Sequence, residues 1–493
     1  MIEPGFMERL RAGFSLRAGA VRWACRALSA GAVVVVAGAD IPEDSLVAEF
    51  GPHRITLREY RLAYREVVKN PGVFDSPKVR EDFLDELIAG RLLAAEAARR
   101  GRSEDDMMRS AVGAYRDYCL RRAHFDAVIK PRIHIEEKDV EEAYQYTQEQ
   151  RKLKHLFFTD RTSADSAYRL LQHGASWNEL ARRVFRDTAL ARSGGDLGWV
   201  VWDELEYDLG MTAFRQKPNV ISRPVESMFG YHILKVMDFK KNPLITRQQY
   251  EEHRRKTRYL LEYKIGEKLA HGYVKAMLSR ATVRLNPEVL EFVRAKLENR
   301  FTRRPSAADQ FSEIQLRDDE IRFVEMSLWD ARGEVMATVN GQPLTVGHFI
   351  GAIQYVPYEV VQRSFRGALD YAIRDFLITE EARALGLGDA PEVILRTELF
   401  REYQVQLAFR RDLVRAVTVT EEDMREYYEK NRASWNDVPF DSVRGFVQDV
   451  ILMEKKQRVV PALVEELSQE TPVTKHMDVI NRYYEDLLKN TPR

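Results

Sequence analysis

Two stretches of the chain carry the same stripe of apolar residues at helical spacing. Leu84, Ile88 and Leu92 in the first recur as Leu369, Ile373 and Leu377 in the second, the periodicity of an amphipathic helix. The match runs from Phe83 to Gly101 and from Ala368 to Gly386, and the glycine near each end predicts a C-cap. Upstream of each stripe lies a short strand and turn, Phe50 to Thr56 in one copy and Val339 to Thr345 in the other. Asn340-Gly341 signals a tight hairpin, and Thr56 and Thr345 stand where the N-cap of the next helix belongs. Downstream, Ile135 to Tyr144 answers Val419 to Tyr428, and Thr420 with Asp423 has capping-box spacing. Three blocks in one order predict a duplicated helical module.

The copies differ in what comes next. The second passes from Tyr428 almost at once to a long helical segment, Phe440 to Leu467. The first interposes a domain's length of chain before its own long segment, Thr246 to Leu278. The expected division is a helical module over 40–147, an inserted domain over 148–241, and a return helix over 242–295 that completes the first module. A polar linker follows over 296–334, then a second module over 335–486 without an insert. Inside the insert, Lys152 to Phe158 alternates like a strand, and short amphipathic helices fall near Ala164–Leu171 and Trp177–Val184. A glycine-rich block, Ser193 to Trp199, a helix near Phe214 and a strand ending at Val236 complete it.

The N-terminus changes the picture of where the protein works. Arg9, Arg11, Arg17, Arg22 and Arg26 precede an apolar run from Ala27 that ends in Ala37-Gly38-Ala39. That is the order of a cleavable export signal over residues 1–39, with an uncleaved anchor as the plainer alternative, although the run is short of the roughly 20 residues that a comfortable span takes. Lys+Arg and Asp+Glu both number 76, so charge gives no case for nucleic acid or an anionic membrane. Of the two cysteines, Cys25 and Cys119, neither has metal-ligand spacing, and Cys119 reads as a small buried apolar residue.

Four blocks of the insert carry a resemblance. His155 in the first strand, Gly194-Gly195-Asp196-Leu197-Gly198-Trp199, Phe214, and Phe229-Gly230-Tyr231-His232-Ile233-Leu234-Lys235-Val236 resemble, in content and order, the parvulin peptidyl-prolyl isomerases. The duplicated modules behind an export signal resemble the chaperone part of SurA- and PrsA-like proteins. The resemblance implies an α+β multidomain fold, with mostly helical modules and one inserted α/β domain whose sheet is mainly antiparallel. It implies that His155 and His232 are paired imidazoles on adjacent central strands and that Asp187 lies beside the twisting amide. Leu205, Leu209 and Phe229 would wall the proline pocket above Phe214. The plainer readings are two histidines bracing one another, Asp187 as a helix cap, and Phe214 as core.

Little else is needed for the chemistry. Rotation about an X-Pro bond meets a barrier of roughly 18–20 kcal/mol because the C–N bond has partial double-bond character. An apolar pocket disfavours the charge-separated form of the amide, so a catalyst grips the ring, strips water and favours the twisted geometry. No metal, nucleophile or cofactor is required. The family usually has Met and Phe where this chain has Leu205 and Leu209. Leu for Met preserves volume and polarity, whereas Leu for Phe removes a flat wall, so weak activity is expected. The leading reading is an exported periplasmic or envelope foldase, a peptidyl-prolyl cis-trans isomerase (EC 5.2.1.8) that binds unfolded, proline-containing exported proteins. The alternative is a holdase chaperone with a catalytically degenerate parvulin domain. No nucleic acid or small-molecule cofactor is expected, and membrane contact is expected only through the signal before cleavage. Tyr60, Tyr64, Tyr115, Phe125, Tyr355, Phe400 and Phe409 are the expected source of an exposed client-binding patch on the helical modules.

Overall fold

The computed structural model describes residues 41–68, 74–102, 104–242, 246–303, 315–435 and 438–490. The expected export signal and Cys25 lie outside the described residues. The described residues begin with a hairpin, β1 (Leu46–Phe50) and β2 (His53–Thr56), followed by α1 (Leu57–Val68), α2 (Pro77–Arg99), α3 (Asp106–His124) and α4 (Glu137–Thr147). The insert runs β3 (Glu149–Phe158), α5 (Arg161–Gln172), α6 (Trp177–Val184), α7 (Thr188–Ser193), β4 (Asp196–Val201), α8 (Tyr207–Arg215), β5 (Val225–Ser227) and β6 (Gly230–Lys241). Then come α9 (Arg247–Arg280), β7 (Val283–Leu285), α10 (Pro287–Leu297) and α11 (Asp318–Leu328). A second hairpin, β8 (Val335–Val339) and β9 (Gln342–Thr345), leads into α12 (Val346–Ile353), α13 (Tyr358–Arg363), α14 (Phe365–Ala384) and α15 (Pro391–Arg415). The chain ends with α16 (Glu421–Lys430), α17 (Phe440–Glu470), β10 (Val473–Lys475) and α18 (Met477–Asn490). The fold is mostly helical with one antiparallel sheet domain set into it, and no described helix is long and apolar enough to cross a membrane.

The duplication is visible in detail. Both hairpins carry one register irregularity, between Leu46 and Ala48 and between Val335 and Ala337. Asn340 and Gly341 both have positive φ, as the tight turn demands. Thr345 caps α12 by accepting from the His348 N–H, and Thr56 does the same for Glu59. Gly101 and Gly386 take left-handed conformations, at φ +74° and +72°, just past the ends of α2 and α14. Thr420 and Asp423 make both bonds of the capping box.

The copies nevertheless exchange their ends. The strand after the long helix of the second copy, β10, pairs with β1 of the first, through Ala48↔Lys475 and Phe50↔Val473. The strand after the long helix of the first copy, β7, pairs with β8 of the second, through Val283↔Val339 and Leu285↔Ala337. This differs from the expectation that residues 242–295 complete the first module and that 335–486 stands alone. The two copies offer chemically equivalent hairpin edges, so the exchange keeps every type of contact while changing which copy supplies it. Two compact units result: one spans Leu120–Leu387, and the other joins the described residues up to Cys119 with Gly388–Asn490. In the latter, Phe50, Tyr60, Tyr64 and Leu84 share a core with Ile480 and Tyr484.

Two further expectations change. The stretch 296–334 is more than a linker: it contains α11, and Phe301, Leu316, Val324 and Leu328 are buried in the core around β8 and α12. The aromatic patch also differs from the expected one, because Tyr60, Tyr64, Phe125 and Phe409 are buried. Tyr115 and Phe400 stack on each other at 4.2 Å, and Tyr355 lies under the Arg121 guanidinium. Large aromatic residues on an amphipathic stripe are the ones a helix buries. Phe446 and Met453, on α17, are exposed instead.

A chain truncated after Thr471 loses β10 and α18. Hydrogen exchange on that protein should show lost protection across β1, β2 and α1, with β8 and β9 unchanged. Loss at β8 and β9 instead would mean that each copy completes itself.

Candidate active site

The insert's sheet has the order β4-β3-β6-β5, with every neighbouring pair antiparallel. Alternation along β3 sends Leu156 to one face, where it packs with Ala167, Leu171 and Leu180 of α5 and α6. The other face carries Leu153 beside Leu234 and Val236, covered by Trp202 and by Leu209, Ala213 and Phe214 of α8. His155 and His232 are on this second face, because His155 pairs with Leu234 and Phe157 with His232. They sit diagonally on the two central strands, where their rings can meet.

They do meet. The Nδ1 atoms are 3.1 Å apart, and the rings are stacked with centroids 5.4 Å apart. His155 is only 2% exposed, and burial pushes it down to about 4. Burial and the neighbouring His155 ring likewise lower His232. Both imidazoles are therefore neutral near pH 7, and one Nδ1–H donates to the other Nδ1. The Nε2 of His232 lies 3.0 Å from Ser227 Oγ, which also accepts the Phe229 N–H at 3.1 Å. The Nε2 of His155 is buried with no hydrogen-bond partner. Phe157 lies 4.9 Å from His232 and Phe185 5.3 Å from His155, ring to ring.

The glycine block has a steric cause. Gly195 has φ +69° and accepts the His155 N–H at 2.9 Å. A Cβ at that position would overlap the His155 carbonyl oxygen. Gly230, at φ +145°, is hemmed in the same way by the Phe158 carbonyl. The backbone can approach the histidine strand this closely only with glycine.

The remaining expected site residues are placed as follows. Leu209 and Phe214 are buried on α8, and Leu205, just before it, is half-buried in the same cluster. Phe214 packs 5.6 Å from the Tyr146 ring and lies beneath the Arg151 guanidinium, which is a core environment. Phe229 is half-buried in the turn between β5 and β6. Asp187 is exposed and caps α7: its Oδ1 accepts from Ala189 and Leu190 N–H groups at 2.8 and 2.9 Å. The structure brings the two histidines, Ser227 and the rings of Phe157 and Phe185 together, and it engages Asp187 in a cap. Sequence reasoning missed Ser227 and Glu206. Ser227 sits two residues before the block that begins at Phe229, but only the pairing of β5 with β6 shows that it meets His232. Glu206 is half-buried between Leu205 and Leu209, and its Oε2 accepts the Met228 N–H at 3.0 Å. Burial pushes this carboxyl up to about 7. No group of His, Cys, Asp and Glu able to hold a metal occurs among the described residues.

Comparison with known proteins places this geometry. Residues 158–238 match the PPIC-type PPIase (rotamase) domain family, a segment that begins three residues after His155. Over 107 residues the chain is 34% identical to foldase protein PrsA 1 of Bacillus cereus, an alignment covering 22% of this chain and 36% of that protein. It is 23% identical over 223 residues to a parvulin-like PPIase of Rickettsia typhi, covering 44% of this chain and 77% of that one. A solved structure of the peptidylprolyl isomerase PrsA from Bacillus anthracis is 24% identical, covering 39% of this chain and 96% of that one, with a TM-score of 0.22.

The neutral histidine pair makes stability depend on acid. A buried histidine held near 4 against about 6.5 unfolded contributes stability that is complete above about pH 6.5 and lost as pH falls toward about 4, in total about 3 kcal/mol. His155→Phe should flatten that part of the melting-temperature profile against pH. Gly195→Ala should destabilise the full chain by several kcal/mol, roughly 2–4, measurable by denaturant titration.

Proposed function

Residues 158–238 being a PPIC-type peptidyl-prolyl cis-trans isomerase domain, we propose that the whole chain is an exported foldase of the cell envelope. It binds unfolded or partly folded, proline-containing exported proteins on its helical modules and isomerises their X-Pro bonds at the site between α8 and the central strands. The observation that carries this reading is the neutral, buried His155–His232 pair at the edge of an apolar face. Neutral imidazoles add no charge to that site, so an amide entering it loses water without gaining a counter-charge from the pair. The charge-separated form of the amide is then disfavoured and rotation becomes easier. In this reading Leu205, Leu209 and Phe229 grip the ring, and Asp187 stands at the mouth of the site. Leu209 supports a second reading, a holdase whose domain binds proline segments and turns them over poorly, because a branched aliphatic side chain offers no flat face to the ring.

The test is proline isomerisation in a labelled peptide by the full chain. We expect weak turnover, raised about fivefold in Leu209→Phe, which corresponds to about 1 kcal/mol of added aromatic packing. Silence in both proteins, with suppression of client aggregation intact, would leave the holdase. Asp187→Ala should cost about 1 kcal/mol of stability through the lost cap, whereas Asp187→Ser retains the cap. A fall in turnover common to both would assign Asp187 to the reaction, and a fall in the alanine variant alone would leave it a cap.

A further inference from the structure

Two titratable side chains that the chemistry above leaves unused tie the walls of the site together. Glu206 stands at the start of α8, between Leu205 and Leu209, and accepts the backbone N–H of Met228 in the turn that carries Phe229. One carboxyl thus joins the α8 wall to the turn wall. Lys264 comes from α9, outside the segment that matches the isomerase family. It is buried, and it donates to the carbonyl of Asp203 at 3.2 Å and to that of Leu205. Its ammonium also lies 4.9 Å from the centre of the Trp202 ring. Further along the same helix, Lys268 pairs with Asp208 at 2.7 Å and Lys275 pairs with Glu226 of β5.

We propose that Glu206 and Lys264 are positioning residues that latch the two walls of the proline pocket to each other and to helix α9, so that the helical module sets how closed the pocket is. The proposal rests on the isomerase reading above. The groups facing Glu206 are Lys264 and Glu267 from α9 and Asp208 on α8. Glu267 accepts from Tyr263, Asp208 is paired with Lys268, and on the β5 side Glu226 faces Lys275 and His271. Burial raises Glu206 to about 7; Glu267 and Asp208 add to the rise, while Lys264 and the Met228 N–H oppose it. The latched arrangement therefore holds a proton that a solvated, open carboxyl, ordinarily near 4.5, would release. By linkage, the latch is complete below about pH 4.5, loosens as pH rises from there to about 7, and changes no further above that.

The test follows KM and kcat of the full chain for a proline peptide from about pH 5 to about pH 8, alongside the methyl signal of Met228 in protein labelled at its methionine methyls. KM should rise with pH up to about 7, by at most about tenfold per unit, the limit for one proton, and level off above it. Kcat should change less, and the Met228 signal should move with the same midpoint. Glu206→Gln, a neutral residue of the same shape, should hold KM at its low-pH value throughout and abolish the Met228 shift. Lys264→Met should move the midpoint upward, and Lys264→Arg should restore it. A flat KM in the wild type together with a Met228 signal indifferent to pH overturns the latch. An inactive chain would sink the isomerase reading, but a Met228 titration lost in Glu206→Gln and raised in Lys264→Met would still support the latch, and its absence would still overturn it.

Discussion

The ten-residue pairing of β3 with β6 decides where everything else in the insert can stand. At one end its register sets Glu149 opposite Lys241, an ion pair at 3.1 Å, and the Asn242 N–H extends the ladder to the Gln148 carbonyl. Entry and exit of the domain are therefore one strand spacing apart, roughly 4.8 Å. The helices that flank it, α4 and α9, can meet as though nothing lay between them, and they do: Glu137 of α4 takes bonds from Tyr250, Arg254 and Arg258 of α9. A domain with adjacent ends can sit in one copy of a repeat and be missing from the other without disturbing either. At its other end the same register brings His155 diagonally beside His232.

Local signals were the legible part of the sequence. The stripe Leu84, Ile88, Leu92, the caps at Thr345 and Thr420, the Asn340-Gly341 turn and the glycines at 101 and 386 each depend on neighbours a few residues away. The parvulin blocks were legible because backbone contact permits so few residues at Gly195 and Gly230. What stayed hidden was nonlocal. Two hairpins with the same burial pattern give no hint of which third strand each will take. Nor does periodicity separate an aromatic residue held for a client from one held by its own core, and Tyr60 and Tyr64 went inside. Glu206 and Lys264 were invisible for a related reason: an acid and a base on separate helices of ordinary composition meet only in three dimensions. Asp187 shows the converse, since a residue placed by resemblance next to the reaction has both of its cap bonds explained locally.

The site departs from the rule that buried polar groups are satisfied. His155 has an Nε2 with no partner, and the pair as a whole is held neutral against its ordinary tendency to charge in mild acid. The mismatch is not confined to the histidines, because Trp202 Nε1, on the same apolar face, and Gln216 Oε1 are also buried without a hydrogen-bond partner.

The exchanged strands also set the order in which the chain can fold. Glu49 and His476 face each other across β1 and β10, yet 427 residues separate them. β1 is among the first described segments to leave the ribosome and β10 is among the last. The core that Phe50, Tyr60 and Tyr64 form with Leu84 must therefore wait for Ile480 and Tyr484 while nearly all of the chain is made. Contacts of such long sequence separation close slowly, because the intervening loop must give up its entropy before the contact forms. Over that interval the chain is itself an unfolded protein in need of a holder.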